Sequence, residues 1–363
     1  MQVAEFRRQP LYPKRMASSL NNPAWLQWMT TLMGGVSRQT YAAILPPDRF
    51  YCLLDELPLH LIPRHTLRSF EVHQDRDQPL YLNPECFFFD AGRIPEELAS
   101  QNEIFSGFAL QGAMVWVASR ATGNLQPFWL GPQLEDWLRA MRANEPAPSS
   151  LAKKERCLLQ AANILVPEDH SGQIHYEREQ RLKKAGSEFR EKGYAPLAGL
   201  IHPFHIAALR RYYRYLIRTG AIRLGDGQSL RRYVGSNDAV ARFFHHDITA
   251  TLSAVAGELL KPSYVYFASY LSGAELKKHT DREQCEFSVT LCLDFSPEPT
   301  LATPWPIRLD TPTSSVTVYQ ALGDGLAYRG TRLPHYRSPL GDGQTSTSIF
   351  FHYVAADFAG SLD

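Results

Sequence analysis

The sequence predicts an α+β chain, in which a smaller α+β N-terminal domain leads into helices and then into a C-terminal all-β sandwich or barrel. Three observations carry this. Residues 176–260 hold long segments with helical spacing of apolar side chains. After Pro262 the apolar period falls from near 3.6 to 2. Between the two halves, Asn144 to Ser150 (NEPAPSS) interrupts the helical pattern with prolines and small polar residues.

Before that break, Leu20 to Met33 has helical spacing. Met114 to Ser119 (MVWVAS) reads as a buried strand that pairs with Gln126 to Leu130 across a turn at Ala121 to Asn124. Pro132 to Arg142 reads as a helix with proline in its first turn. The expected division is an N-terminal α+β domain over residues 1–150, a helical linker over 151–193 and a β domain over 194–363. Helices are expected at Tyr176 to Lys192, closed by Gly193, at Pro203 to Thr219, ended by Gly220, and at Ala239 to Leu260, stopped by Pro262. Strands follow at Tyr264–Tyr270, Cys285–Leu293, Trp305–Leu309, Ser315–Gln320, Gly325–Tyr328, Leu333–Arg337 and Ser346–Val354. Turn signals such as Ser272-Gly273, Gly323-Asp324 and Gly341-Asp342-Gly343 separate them. A helical layer followed by such strands is the pattern of a double-stranded β-helix (jelly-roll or cupin-like) with supporting helices.

Composition narrows the function classes. Lys plus Arg number 38 against 37 Asp plus Glu, so no overall field draws the chain to nucleic acid or to an anionic membrane. Five scattered cysteines with no Cys-x-x-Cys pair argue against a disulfide framework or a thiolate zinc motif and favour a reducing compartment. The start of the chain, MQVAEFRRQPLYPKRM, has charges and prolines but no apolar leader, and no run reaches the roughly 18 apolar residues of a membrane span. A cytoplasmic protein is expected.

The chemistry concentrates in His279-Thr280-Asp281 and in His335, 54 residues after Asp281. On an extended segment, residues i and i+2 share a side, so His279 and Asp281 present two ligands to one ion. A histidine from a later strand completes two imidazoles and one carboxylate on one face, the ligand set of non-heme iron(II) oxygenases. Other histidine pairs read as structural: His202 with His205 at a helix start, His245 with His246 on a helix, and His352 within an aromatic strand. Tyr212, Tyr213 and Tyr215 beside Arg210, Arg211 and Arg214 could touch nucleic acid, but read better as an amphipathic helix leaning on the barrel.

The stretch Tyr270-Leu-Ser-Gly273-Ala-Glu-Leu-Lys-Lys-His279-Thr-Asp281, followed by Gly323-Asp324-Gly325-Leu-Ala-Tyr328, Leu333-Pro334-His335 and Ser348 to Val354, resembles the prolyl-4-hydroxylase-like branch of the iron(II)/2-oxoglutarate oxygenases. The resemblance spans about residues 194–354 and leaves the first 150 uncovered. It implies a dioxygenase with Fe(II) on His279, Asp281 and His335, 2-oxoglutarate as cosubstrate, and dioxygen. It implies hydroxylation of a C–H bond in an amino-acid, peptidyl or natural-product substrate. Desaturation or cyclisation by the same chemistry is the alternative, as is a binding or scaffold protein. Asp281 argues against halogenation, because family halogenases carry a small residue there. The family places a basic residue a short way past the distal histidine to bind the far carboxylate of 2-oxoglutarate, and here that window holds Gln344, Thr345 and Ser346. Arg337 is the expected substitute, on the same strand face as His335 and beside Ser346 on the next strand. Arg308 is second and Arg282 third. Tyr270 either lines the cosubstrate pocket or packs in the core, and Glu286 and Cys285 read as structural. The expected partner is a small-molecule or peptide substrate; the N-terminal domain is left with substrate recognition or homodimer formation.

Overall fold

A computed structural model describes residues 45–66, 78–89, 94–95, 103–142, 144–168 and 170–362. The helix expected at Leu20 to Met33 lies outside the described residues. The N-terminal part contains the strands β1 (Tyr81–Leu82), β2 (Cys86–Phe89), β3 (Met114–Ala118) and β4 (Leu125–Trp129) and the helices α1 (Pro132–Ala140) and α2 (Lys153–Ala161). Strand β3 pairs with β4 antiparallel across the expected turn, and β2 adds to the other edge of β3. Proline at the first turn of α1 supplies a fixed φ where no helical N–H bond is needed.

Beyond the break come β5 (Leu165–Val166), α3 (His170–Lys192), β6 (Tyr194–Leu197), α4 (Pro203–Arg218), β7 (Arg223–Leu224), β8 (Arg232–Ser236) and α5 (Ala239–Ala256). Strand β5 returns to pair with β1, so residues just after the break are tied to those before it. Helix α5 is capped by Asp238, whose carboxylate accepts from the Ala241 N–H at 3.0 Å. Asp238 also accepts from the hydroxyls of Tyr212 and Tyr213, at 3.0 and 2.9 Å, which fixes α4 against α5.

The remaining strands are β9 (Leu260–Tyr270), β10 (Leu276–His279), β11 (Phe287–Ser296), β12 (Ile307–Asp310), β13 (Ser315–Val318), β14 (Gly325–Arg329), β15 (His335–Arg337) and β16 (Thr345–Ala355). They divide between two antiparallel sheets, alternating except for the β12–β13 hairpin. The larger has the order β6-β14-β11-β16-β9-β8-β7, the smaller β10-β15-β12-β13. Eight consecutive strands distributed in this way make the jelly-roll connectivity of a double-stranded β-helix.

Alternation along the large sheet separates its two roles. One face carries Val265, Phe267, Val289, Leu291, Ile349 and Phe351, which pack with Phe189, Leu209, Phe244 and Leu252 of the helices. The other faces the small sheet and carries Tyr266 and Tyr270, Ser288 and Thr290, and Ser348 and His352. A hydrophobic face thus fixes the sheet, and a polar face is left for the site.

Several boundaries differ from expectation for visible reasons. The third helix ends at Ala256, not Leu260, because Gly257 (φ 80°) closes it in the left-handed conformation. Pro262 then sits inside β9, near a register shift between Phe351 and Tyr353, where a missing N–H costs little. Helix α3 begins at His170 rather than Tyr176. Strand β11 starts at Phe287, because Glu283–Cys285 form a 3-10 turn.

One hydrophobic cluster runs from Leu45 through Trp129 and Leu165 to Tyr353, spanning the mostly exposed Asn144–Ser150 segment, of which Ala147 packs against it. Arg210 on α4, only 1% exposed, reinforces it: it donates to the Leu61 carbonyl at 2.6 Å and to Asp294 and Glu298 at 2.9 and 3.0 Å. The buried Asp247 on α5 accepts from Gln126 at 2.8 Å, and burial pushes its carboxyl up to about 7 despite those bonds. A protease nick within Asn144–Ser150 is therefore expected to leave both fragments in one particle. Limited digestion followed by size-exclusion chromatography checks this; a separately eluting N-terminal fragment would contradict it. Among the described residues, no helix is long and apolar enough to cross a membrane.

Candidate metal centre

Strands β10 and β15 lie side by side at the edge of the small sheet, with His279 directly opposite His335. Their rings are 4.4 Å apart. Asp281 follows β10, and its N–H donates to the Gly330 carbonyl at 2.9 Å. Asp281 Oδ1 lies 3.6 Å from His279 Nε2 and 3.5 Å from His335 Nε2. Ligands at right angles around an ion with bonds of about 2.1 Å would be about 3 Å apart, so this triangle is slightly expanded. The sequence-predicted triad is thus brought together, with His335 buried and His279 half-buried.

Both imidazoles are aimed by their other nitrogen. His279 Nδ1 donates to the Lys277 carbonyl at 2.7 Å and His335 Nδ1 to the Leu333 carbonyl at 3.0 Å. In each case the acceptor is two residues earlier, and Nε2 is the nitrogen turned toward Asp281. Burial penalises the Asp281 charge, but the two imidazoles outweigh it and hold the carboxyl well below its usual range. The neighbouring carboxylate in turn raises His279 above its ordinary value, against the effect of burial.

Two residues that sequence reasoning missed support Asp281. The Ser288 hydroxyl donates to Oδ2 at 3.0 Å. Gly330 leaves room for the carboxylate, since a Cβ there would collide with Asp281 Oδ2 and the Cys285 carbonyl. Neither follows from local pattern: Ser288 reads as an ordinary strand residue, and Gly330 as a turn. Ser288→Ala is expected to lower divalent-metal affinity by about 10–100-fold while leaving circular dichroism unchanged. An unchanged dissociation constant would show that this hydrogen bond does not tune the carboxylate.

Arg337, two residues beyond His335, points into the sandwich and is 4% exposed. Its guanidinium donates to the Trp305 carbonyl at 2.5 Å and to Gln320 Oε1 at 3.1 Å, and lies 4.8 Å from the Trp305 ring. No carboxylate of the described residues pairs with it; its nearest ionisable neighbours are Cys292, Tyr270 and Tyr328. Burial lowers its pKa, so the charge is held at a cost. The Thr290 hydroxyl, buried on the same inner face, has no hydrogen-bond partner among the described residues. A buried cation with no counter-charge among the described residues, joined through Gln320 to the Thr290 backbone, fits a polar anion entering the sandwich.

The other expected cosubstrate residues are placed differently. Ser346 is not beside Arg337: β15 is bordered by β10 and β12, and Ser346 lies across the sandwich in register with Tyr270. Tyr270 is buried, 5.0 Å from the Trp305 ring, and accepts from Arg232 at 3.3 Å. Arg308 alternates to the outside between the buried Ile307 and Leu309, and its guanidinium rests on Ser338 and the Tyr336 ring. Arg282 is exposed and stacks over Tyr264 at 4.8 Å.

Three of the other histidines have structural partners. His202 Nδ1 accepts from the Phe204 N–H and caps α4. His205 and His245 bond the carbonyls of Pro127 and His352 at 2.8 and 2.7 Å, and burial drops both to about 3. Arg210 and Arg214 are spent on Asp294, and Tyr213 stacks on Phe267 at 4.3 Å.

No family model and no curated protein matches the chain. Among solved structures it is similar to a prolyl-4-hydroxylase from Pseudomonas putida, with 16% identity and a TM-score of 0.40 over 48% of this chain and 98% of that one. It is also similar to the non-heme alpha-ketoglutarate-dependent epimerase SnoN from nogalamycin biosynthesis, with 16% identity and a TM-score of 0.41 over 49% of this chain and 84% of that one. A third is a Trichoplax adhaerens prolyl hydroxylase bound to a hypoxia-inducible-factor peptide, with 12% identity and a TM-score of 0.43 over 52% and 94%.

Proposed function

We propose that this chain is an iron(II)- and 2-oxoglutarate-dependent dioxygenase that hydroxylates a C–H bond of an amino-acid, peptidyl or natural-product substrate. The observation that carries the reading is the pairing, on one short strand, of a ligand histidine with a buried arginine that has no carboxylate partner among the described residues. His335 completes a two-histidine, one-carboxylate face, and Arg337 offers a fixed positive charge deeper in the sandwich. Bound there, iron(II) with 2-oxoglutarate and dioxygen supplies the oxidising power for an unactivated C–H bond.

The chain's own residues do the positioning. His279, Asp281 and His335, all on one side, would hold the ion and leave it open to small ligands. The carbonyls of Lys277 and Leu333 hold the imidazole tautomers, and Ser288 holds the carboxylate. Arg337 would hold the far carboxylate of the cosubstrate. Tyr270 and Trp305 shield that ion pair from water, which strengthens it. Thr290 gains a partner for its hydroxyl. We place the protein in the cytoplasm, in keeping with five free cysteines. We assign it a small-molecule or peptide substrate rather than nucleic acid.

Uncoupled turnover tests the class without the prime substrate. Purified protein with iron(II), ascorbate and 2-oxoglutarate is expected to release succinate in air, and its Asp281→Ala variant is not. Equal succinate release by both would remove the reading, and so would none from an iron-loaded wild type given a broad panel of amino acids and peptides.

A further inference from the structure

Asp281 uses only one carboxylate oxygen on the histidine pair. Oδ2 turns the other way, toward Ser288, and behind Ser288 lie Cys285 and His352. Cys285 comes from the 3-10 turn before β11, and His352 from β16, in register with Ser288. One ligand atom from each of Asp281, Cys285 and His352 lies within 4.8 Å of the other two. All three side chains are buried or nearly so. His352 Nδ1 is 2.9 Å from Ser288 Oγ, and Cys285 Sγ is 3.0 Å from the Tyr264 hydroxyl. The Tyr264 ring leans on His352 at 4.7 Å and closes the outer side. Cys285 has no disulfide partner.

We propose that Asp281, Cys285 and His352 form a second divalent-cation site, for a thiolate-preferring ion of the zinc class, that shares Asp281 with the first site as a bridging carboxylate. Sulfur, imidazole nitrogen and carboxylate oxygen together are a zinc-type donor set, whereas the first site contains no sulfur. The two oxygens of one carboxylate can each serve a different ion, as in two-metal sites. Ser288 does not block this: its hydroxyl can turn from Oδ2 to the Cys285 carbonyl, already 3.3 Å away. An ion at this site draws charge from Asp281 and weakens its hold on the first ion. Zinc there acts as a brake on the iron site.

Cobalt(II) titration of the full reduced chain reads the two sites separately, because thiolate ligation adds an intense near-ultraviolet charge-transfer band. Wild type is expected to bind two cobalt ions, one of them with the band, and zinc should bleach it. Cys285→Ala should keep one cobalt and lose the band, and His352→Ala should weaken the sulfur-bound ion by about 10-fold or more. His335→Ala should retain the band and lose the other ion. Circular dichroism of each variant controls for folding. One bound cobalt without the band overturns this proposal and leaves the histidine triad standing. One bound cobalt with the band overturns the triad and leaves this site. A band that persists in Cys285→Ala assigns the sulfur to another cysteine and also overturns the proposal.

Discussion

Arg337→Ala is expected to weaken 2-oxoglutarate binding by roughly two to three orders of magnitude while leaving iron(II) binding intact. The guanidinium is buried, and no carboxylate of the described residues neutralises it. Breaking a buried ion pair from one side costs about 3–5 kcal/mol, and about 1.4 kcal/mol is a tenfold change in affinity. Arg337→Lys should recover only part of the loss, because an ammonium cannot form the same fork. Arg337→Met separates a binding role from a structural one. It keeps much of the volume and removes an unpaired buried charge, so the thermal midpoint of the cosubstrate-free protein should hold or rise. A large fall in that midpoint with unchanged 2-oxoglutarate affinity would show that the arginine only props Trp305 and Gln320. Arg308→Ala, on the outer face, should leave the affinity unchanged.

His335→Ala and Asp281→Ala are each expected to abolish stoichiometric iron(II) binding and, with it, all succinate release. Each removes one of three ligands, and Asp281 is also the only carboxylate in the triad, so its loss leaves two imidazoles without the charge that balances the ion. His335 contributes a ring held by one carbonyl bond, and its strand is fixed on both sides by β10 and β12. The fold should survive, and far-ultraviolet circular dichroism should be unchanged. Metal content after gel filtration reads the effect directly. Full occupancy in His335→Ala would move the site elsewhere.

The triad was legible in the sequence because its logic is local. His279 and Asp281 are two residues apart, and a strand puts such residues on one side. The β9, β11, β14 and β16 segments were legible for the same reason: their apolar period marks the face that packs on the helices. Less legible was everything that depends on which strands become neighbours. Ser346 follows His335 in the chain by a short turn, which suggested adjacency, yet β16 crosses to the other sheet. Arg308 and Arg337 look alike as strand arginines, and only the burial of Ile307 and Leu309 shows that Arg308 faces out. Strands β6 to β8 escaped notice because they are short and partly polar, and β8 holds Arg232 against Asp226 by a contact outside any strand pattern. Pro262 read as a helix stop because proline usually is one; Gly257 had already ended the helix.

The account rests on iron and 2-oxoglutarate meeting between His335 and Arg337. Anaerobic titration of the iron(II)-loaded protein with 2-oxoglutarate measures that meeting, through the visible metal-to-ligand charge-transfer band of the chelate. Wild type is predicted to develop the band and saturate it, His335→Ala to show none, and Arg337→Ala to need roughly 100–1,000-fold more 2-oxoglutarate for the same absorbance. An iron-loaded wild type that shows no band at saturating 2-oxoglutarate would contradict the account.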